Sequence, residues 1–363
     1  TSDGPLTWIG GFFFRDQTEE QLSLEFTPNL YGFAGVPEVP QVIQRYGAFG
    51  DEIEYIQDQT IEFTEWALFG ELGFQVTDRF EALVGVRWFE VDSNFRSAIG
   101  FPLFNQVLGI DPNDSANQIW LNESEAGGKI NDLIFKLNAS YQFMDDLMGY
   151  FTFSQGYRNG STNGIIDCSE IPAPNPNVVC GTPDQLLYQP DTTDNYELGI
   201  RSQWLDQSMT LNAALFYIQW NDVQVATTSF SGGFPIVVNG KSAESSGVEI
   251  DFNWQITDNL LMRSGYSFTA AKLAEEAPLL ADGNARKVDR LPGSPEHLGS
   301  IFFDLNLPIN SAVEFVGSYG FTAQSDVLTD IGAGSTCCRV EGAEALIGFT
   351  VHYLSLGLRG DQW

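Results

Sequence analysis

Val248-Glu249-Ile250-Asp251-Phe252-Asn253-Trp254-Gln255 puts every apolar side chain on one face and every polar one on the other. Successive side chains of an extended chain point to opposite faces, so this is the period of a β-strand with one apolar and one wet side. The run ends at Thr257-Asp258-Asn259-Leu260, and that punctuation recurs at Thr77-Asp78-Arg79-Phe80, Met144-Asp145-Asp146-Leu147, Leu205-Asp206-Gln207-Ser208, Pro308-Ile309-Asn310-Ser311 and Gly360-Asp361-Gln362-Trp363. Five of the six carry Asp second, where its side chain is expected to bond the backbone two residues on and close a tight turn. The second positions (78, 145, 206, 258, 309 and 361) recur every 51 to 67 residues, the period of a whole hairpin.

Outward from these turns the alternation continues. Leu133, Phe135, Leu137, Ala139 and Tyr141 alternate with Ile134, Lys136, Asn138, Ser140 and Gln142, and Tyr196, Leu198 and Ile200 with Glu197, Gly199 and Arg201. About twelve strands are expected, over 5–25, 58–76, 80–97, 130–143, 147–158, 192–204, 208–224, 239–256, 260–274, 295–307, 311–323 and 344–359. The segments opposite the short turns (27–57, 98–129, 159–191, 225–238, 275–294 and 324–342) are rich in Pro, Gly, Asn, Asp and Ser and read as long loops. Short turns at one end and long loops at the other are the sidedness of an outer-membrane barrel; loops beyond about 12–15 residues are uncommon in a compact soluble domain. Most strands exceed the ~9–11 residues that cross a bilayer. Phe12-Phe13-Phe14, Trp88-Phe89 and the pair Phe151 and Phe153 are candidates for interfacial aromatic girdles.

Composition agrees. The 28 Phe, 12 Tyr and 8 Trp coexist with a mean hydropathy of −0.10, as expected where strands need apolar residues only at alternate positions. No stretch has the roughly 18 uncharged apolar residues of a membrane-spanning helix. The start, Thr1-Ser2-Asp3-Gly4-Pro5, has neither the n-region nor the h-region of a secretion signal, which is expected to lie outside this chain. With 48 acidic against 17 basic residues and a net charge of −31, the chain has no cation excess with which to neutralise a nucleic-acid backbone, so nucleic acid is set aside as a partner. Four cysteines, Cys168, Cys180, Cys337 and Cys338, lie in loops and suit an oxidising compartment; a Cys168–Cys180 link is one of the possible pairings.

Specific wording then enters. Leu147 to Gly164 reads LMGYFTFSQGYRNGSTNG, followed by Asn195-Tyr196-Glu197-Leu198-Gly199-Ile200-Arg201 and by Leu211-Asn212-Ala213-Ala214-Leu215-Phe216-Tyr217. Val238-Asn239-Gly240-Lys241-Ser242-Ala243-Glu244-Ser245-Ser246-Gly247-Val248-Glu249, Leu291-Pro292-Gly293-Ser294-Pro295 and Ala67-Leu68-Phe69-Gly70-Glu71-Leu72 with Gly85-Val86-Arg87-Trp88 add to it. In order and spacing these blocks resemble the barrel of TonB-dependent receptors. The resemblance implies an all-β, antiparallel transmembrane β-barrel, with about twelve strands of the family's roughly 22 present over residues 1–363. It also implies that the plug, with its TonB-contacting segment, and the last strands lie outside this chain. The implied function is active import of a scarce large nutrient such as a ferric siderophore across the outer membrane, with the TonB complex, outer-membrane lipid and the chelate as partners. No cofactor is expected, since a metal would arrive as cargo. A passive porin or a soluble β-rich binding or adhesion protein are the alternatives.

No catalytic constellation is legible. The two histidines, His297 and His352, stand apart from any nucleophile motif and read as strand-surface residues, so the chain is not expected to be an enzyme. Arg158, Glu197, Arg201, Lys241 and Glu249 are the charged residues of the family-like blocks. Alternation puts Glu197, Arg201 and Glu249 on the polar, lumenal face, where they either contact the plug or line the ligand path, or hold neighbouring strands through ion pairs. Ligand choice is expected to lie in the loops, first in 159–191 and 324–342.

Overall fold

The structure, a computed structural model, describes residues 4–29, 53–100, 122–163, 165–170, 180–228, 235–277, 280, 285–329, 331 and 345–360. Twelve strands form one antiparallel sheet: β1 (Leu6–Phe26), β2 (Ile53–Thr77), β3 (Phe80–Gly100), β4 (Asn122–Met144), β5 (Leu147–Arg158), β6 (Asp191–Trp204), β7 (Met209–Asn221), β8 (Ser242–Thr257), β9 (Leu260–Leu273), β10 (His297–Asn310), β11 (Val313–Gln324) and β12 (Phe349–Gly360). Each pairs with the next in the chain, so the sheet is an up-and-down meander with β1 and β12 at its edges. β2 and β4 begin earlier than expected, at Ile53 and Asn122, because ladder pairing with β1 and β3 continues into segments whose polar composition reads as loop.

The turns follow the expected positions through a different device. At Gln75/Thr77, Gln142/Met144, Gln255/Thr257 and Pro308/Asn310 the register slips just before the turn. At the first, the acceptor is Thr77, whose Oγ1 receives the N–H groups of Arg79 (3.2 Å) and Phe80 (3.0 Å), and Thr257 receives that of Asn259. The hydroxyl one residue ahead of the Asp reaches the turn amides, so the closing role expected of Asp78 and Asp258 belongs to the threonines. Asp206 instead adopts a left-handed φ of 55°, a conformation that Asp tolerates better than most residues.

The two faces differ as alternation requires. One is an apolar wall of exposed side chains such as Leu68, Leu133, Leu198, Leu215 and Leu354. The other carries ion pairs between neighbouring strands: Glu65 with Arg87 (2.6 Å), Glu71 with Lys136 (3.1 Å), Arg263 with Asp304 (2.6 Å), and Glu314 with Arg359. The Phe151 and Phe153 pair lies wholly on the apolar wall, whereas the other two proposed girdle clusters are split. Phe12, Phe14, Trp88, Phe151 and Phe153 share the parity of the leucines, whereas Phe13 and Phe89 take the other face. There Phe13 lies under the Arg87 guanidinium, and Phe89 is buried and stacked on Tyr157 at 3.8 Å. On the apolar wall Trp66 meets Trp88 edge-on and sends its Nε1–H to Glu90 (3.1 Å), a ring in the apolar layer with its polar end at the rim. His297 and His352 sit on this wall too, each 2.9 Å from a tyrosine hydroxyl, of Tyr266 and Tyr319.

Above the long-loop end the segments read as separate loops share one apolar core. The hairpin Gln224–Thr228 with Pro235–Asn239 contributes Val225, Ile236 and Val238, which pack with Ile165, Leu273, Leu280, Leu291 and Ile331. Cys168 and Cys180 are bonded in this region, with Cα atoms 4.9 Å apart. Cys337 and Cys338, and most of loops 27–57, 98–129 and 324–342, lie outside the described residues.

Candidate functional site

Tyr150 organises the inner face. It stands on β5 opposite Gly199 of β6, and its ring lies flat over that glycine: a Cβ there would sit 2.4 Å from the ring carbon Cζ. The flattened ring sends its hydroxyl to Glu197 Oε1 (2.7 Å) and offers its face to the Arg201 guanidinium at 5.4 Å. Phe216 covers Gly247 in the same way one hairpin along, and there a Cβ would also lie 2.1 Å from the backbone oxygen of Phe268. A carbonyl fixed in a sheet ladder has nowhere to move. Gly247→Val is therefore expected to destabilise the barrel by at least the ~1–3 kcal/mol of ordinary overpacking, read as loss of the heat-modifiable folded band on electrophoresis.

Beside Tyr150 the small residues Gly265, Ser267, Ser300 and Ala214 leave a cavity of about 730 Å³ along the inner wall. Arg201, Asn212, Glu249 and Asp251 project into it. Its charges are arranged unlike those elsewhere on this face. Among the described residues no ion pair engages Arg201, Glu249 or Asp251; Arg201 has only the Tyr150 ring, and Asp251 accepts a hydrogen bond from Asn253 (2.8 Å). The expectation that Glu197 and Arg201 are held by interstrand ion pairs is therefore replaced by a tyrosine serving both. A wall with one cation and two carboxylates left open to a polar cavity is a surface for charged groups of whatever occupies the lumen.

Arg158 and Lys241, the other two expected site residues, lie elsewhere. Arg158 forms a bidentate pair with Asp191, which is 1% exposed, and stacks on Trp220 at 4.8 Å. Asp191 also accepts from Trp220 Nε1 (2.9 Å) and the Gln224 amide (3.0 Å), so one carboxylate ties the ends of β5, β6 and β7 to the start of the upper hairpin. That is a structural knot. Lys241 occupies the turn before β8 with φ 58°, its carbonyl receiving the Val223 amide, and its exposed side chain does not line the cavity. Sequence reasoning missed Tyr150, Asp191 and Asp251. Asp251 was within reach, since it shares the face of Glu249 two residues away.

Comparison with known proteins now bears on this wall. The family model described as TonB dependent receptor-like, beta-barrel matches residues 3–361. An uncharacterized TonB-dependent receptor of Haemophilus influenzae is 25% identical over 228 residues, 60% of this chain and 57% of that protein. The pesticin receptor of Yersinia enterocolitica is 29% identical over 196 residues, 52% of this chain and 23% of its own length. Among solved structures, the ferric yersiniabactin uptake receptor of Yersinia pestis superposes with a TM-score of 0.68 at 15% identity, over 98% of this chain and 44% of that one. The ferric-catecholate import receptor of E. coli gives 0.62 at 16%, over 100% and 47%. At these identities the structural likeness speaks for the fold alone, and the chain spans well under two thirds of each relative's length.

Proposed function

The chain belongs to the TonB-dependent receptor-like β-barrel family and lies in the outer membrane, and from that premise we propose that it is the greater part of the lumen wall of a receptor that imports a ferric chelate with energy coupled through TonB. The observation that carries this reading is the cavity holding Arg201, Glu249 and Asp251 on the face turned from lipid, where among the described residues no ion pair engages them. A domain seated in the lumen would supply their partners, and the family match favours that occupant over open water. In this reading further strands join β1 and β12, because unpaired backbone groups at a sheet edge are costly in hydrocarbon.

The relatives' names support iron as cargo: a ferric yersiniabactin uptake receptor and a ferric-catecholate import receptor share this fold. We assign the protein no catalytic role and no resident cofactor. The test is growth of a deletion strain under iron limitation on a panel of ferric chelates, with cobalamin and a copper chelate as controls. Loss of growth on one ferric chelate, restored by the intact gene, is expected; unimpaired growth on every ferric chelate with a defect on a control compound would overturn the assignment of iron.

A further inference from the structure

The apolar wall is not smooth. Near the short-turn end it carries a groove of about 540 Å³, floored by Gly149 and Ala213 and walled by Tyr141, Phe143, Leu198 and Leu215. The four wall residues are large and exposed on the face turned to lipid, and Phe143 lies over Gly149, where a Cβ would meet its ring at 2.8 Å. A trench of this kind on a lipid-facing surface fits a single extended hydrocarbon chain.

Charge at its lower end narrows the choice of lipid. Arg79 is the only basic residue in the described short turns, which otherwise carry Asp78, Asp145, Asp146, Asp206 and Asp258. It adjoins Phe80, another lining residue, is exposed, and has no side-chain partner among the described residues. Gln142 links it to the next turn: the Gln142 amide donates to the Arg79 carbonyl (2.7 Å), and Gln142 Nε2 donates to the carbonyls of Met144 (2.6 Å) and Asp145 (3.1 Å). A free guanidinium and a row of carboxylates thus stand on adjoining turns directly below an apolar trench that begins at Tyr141 and Phe143.

We propose that this groove seats one acyl chain of a zwitterionic aminophospholipid of the periplasmic leaflet, its phosphate on the Arg79 guanidinium and its ammonium on the Asp145 carboxylate. Arginine matches phosphate through paired N–H donors. The surrounding aspartates repel a purely anionic headgroup, and a quaternary ammonium has no N–H to donate to them. The inference depends on the wall lying in the outer membrane and not on what the receptor carries.

Native mass spectrometry of the intact receptor, released from mixed micelles of equimolar phosphatidylethanolamine, phosphatidylglycerol and phosphatidylcholine, tests it. One retained phosphatidylethanolamine is expected, favoured about tenfold over the other two, the scale of one charge-assisted hydrogen bond. Asp145→Asn should abolish the preference over phosphatidylcholine, Arg79→Gln should lower retention of all three lipids, and Ala213→Phe, which fills the floor, should remove the bound lipid from a barrel that still shows its heat-modifiable band. Should Ala213→Phe fail to assemble, Asp145→Asn and Arg79→Gln on their exposed turns carry the test. Retention of no lipid, equal retention of all three, or a preference over phosphatidylcholine unchanged in Asp145→Asn would overturn the proposal. A receptor that keeps the lipid yet serves no ferric chelate would sink the transport reading and leave this one standing.

Discussion

Reversing both carboxylates of the inner cavity, Glu249→Arg together with Asp251→Arg, is expected to abolish chelate uptake by the intact receptor while the barrel remains folded in the membrane. The two residues share the inner face of β8, two positions apart, and line the cavity with Arg201. Among the described residues neither is engaged by a cation of the wall, so their removal breaks no interstrand ion pair and the sheet has no reason to fail. A cationic partner in the lumen would instead meet two positive charges. Losing charge-paired contacts in a desolvated interface costs about 2–5 kcal/mol, so uptake should fall by at least about thirtyfold. Asp304→Arg is the contrast: it removes the partner of Arg263 and the acceptor of Ser318 and should lower heat-stability first. Equal uptake by wild type and the double variant, at equal surface abundance, would contradict the assignment of this cavity to the transport path.

Asp191→Ala is expected to release the extracellular cap without dissolving the barrel. The carboxylate is buried at the junction of three strand ends and the upper hairpin, and its removal leaves the Trp220 indole N–H and the Gln224 amide without acceptors. Breaking a buried ion pair costs about 3–5 kcal/mol; the lower end applies here because Arg158 is half exposed and regains water. The loss is local, since β5 through β7 stay paired along their full ladders below that point. Hydrogen exchange over 224–240 should quicken by roughly a hundredfold, with the lower halves of β6 and β7 unchanged, while Asp191→Asn, which keeps an acceptor for Trp220, should fall between the two. Exchange in 224–240 that stays at the wild-type rate in Asp191→Ala would show that the apolar core of the cap suffices to hold it.

The parts legible in the sequence are those governed by local rules. Period-two alternation places Val248 to Gln255 on a strand, assigns its two faces, and through the recurring turns yields the order of all twelve strands. What escaped depends on contacts between distant segments. Val225, Ile236 and Val238 read as scattered apolar residues of a polar loop, and only their meeting with Leu273, Leu280 and Ile331 makes them a core. Phe13 and Phe89 join an aromatic cluster in sequence, yet alternation sends them to the face opposite Phe12, Phe14 and Trp88. Of the charged residues in the family-like blocks, Glu197, Arg201 and Glu249 do share the inner face. Tyr150, which bonds the first and stacks on the second, carries no charge to draw attention to it, and Arg158 reveals its knot only once Asp191, remote in sequence, is folded against it.

The proposed reading of this cavity makes the protein a driven receptor, and the alternative makes it a passive pore. The most direct test is uptake of the labelled ferric chelate by cells expressing the intact receptor, with and without TonB, at external concentrations well below those inside. Accumulation against the gradient that disappears without TonB is the predicted result. Uptake that proceeds at the same rate in both strains and stops at equilibrium would contradict it and assign the wall to a passive channel.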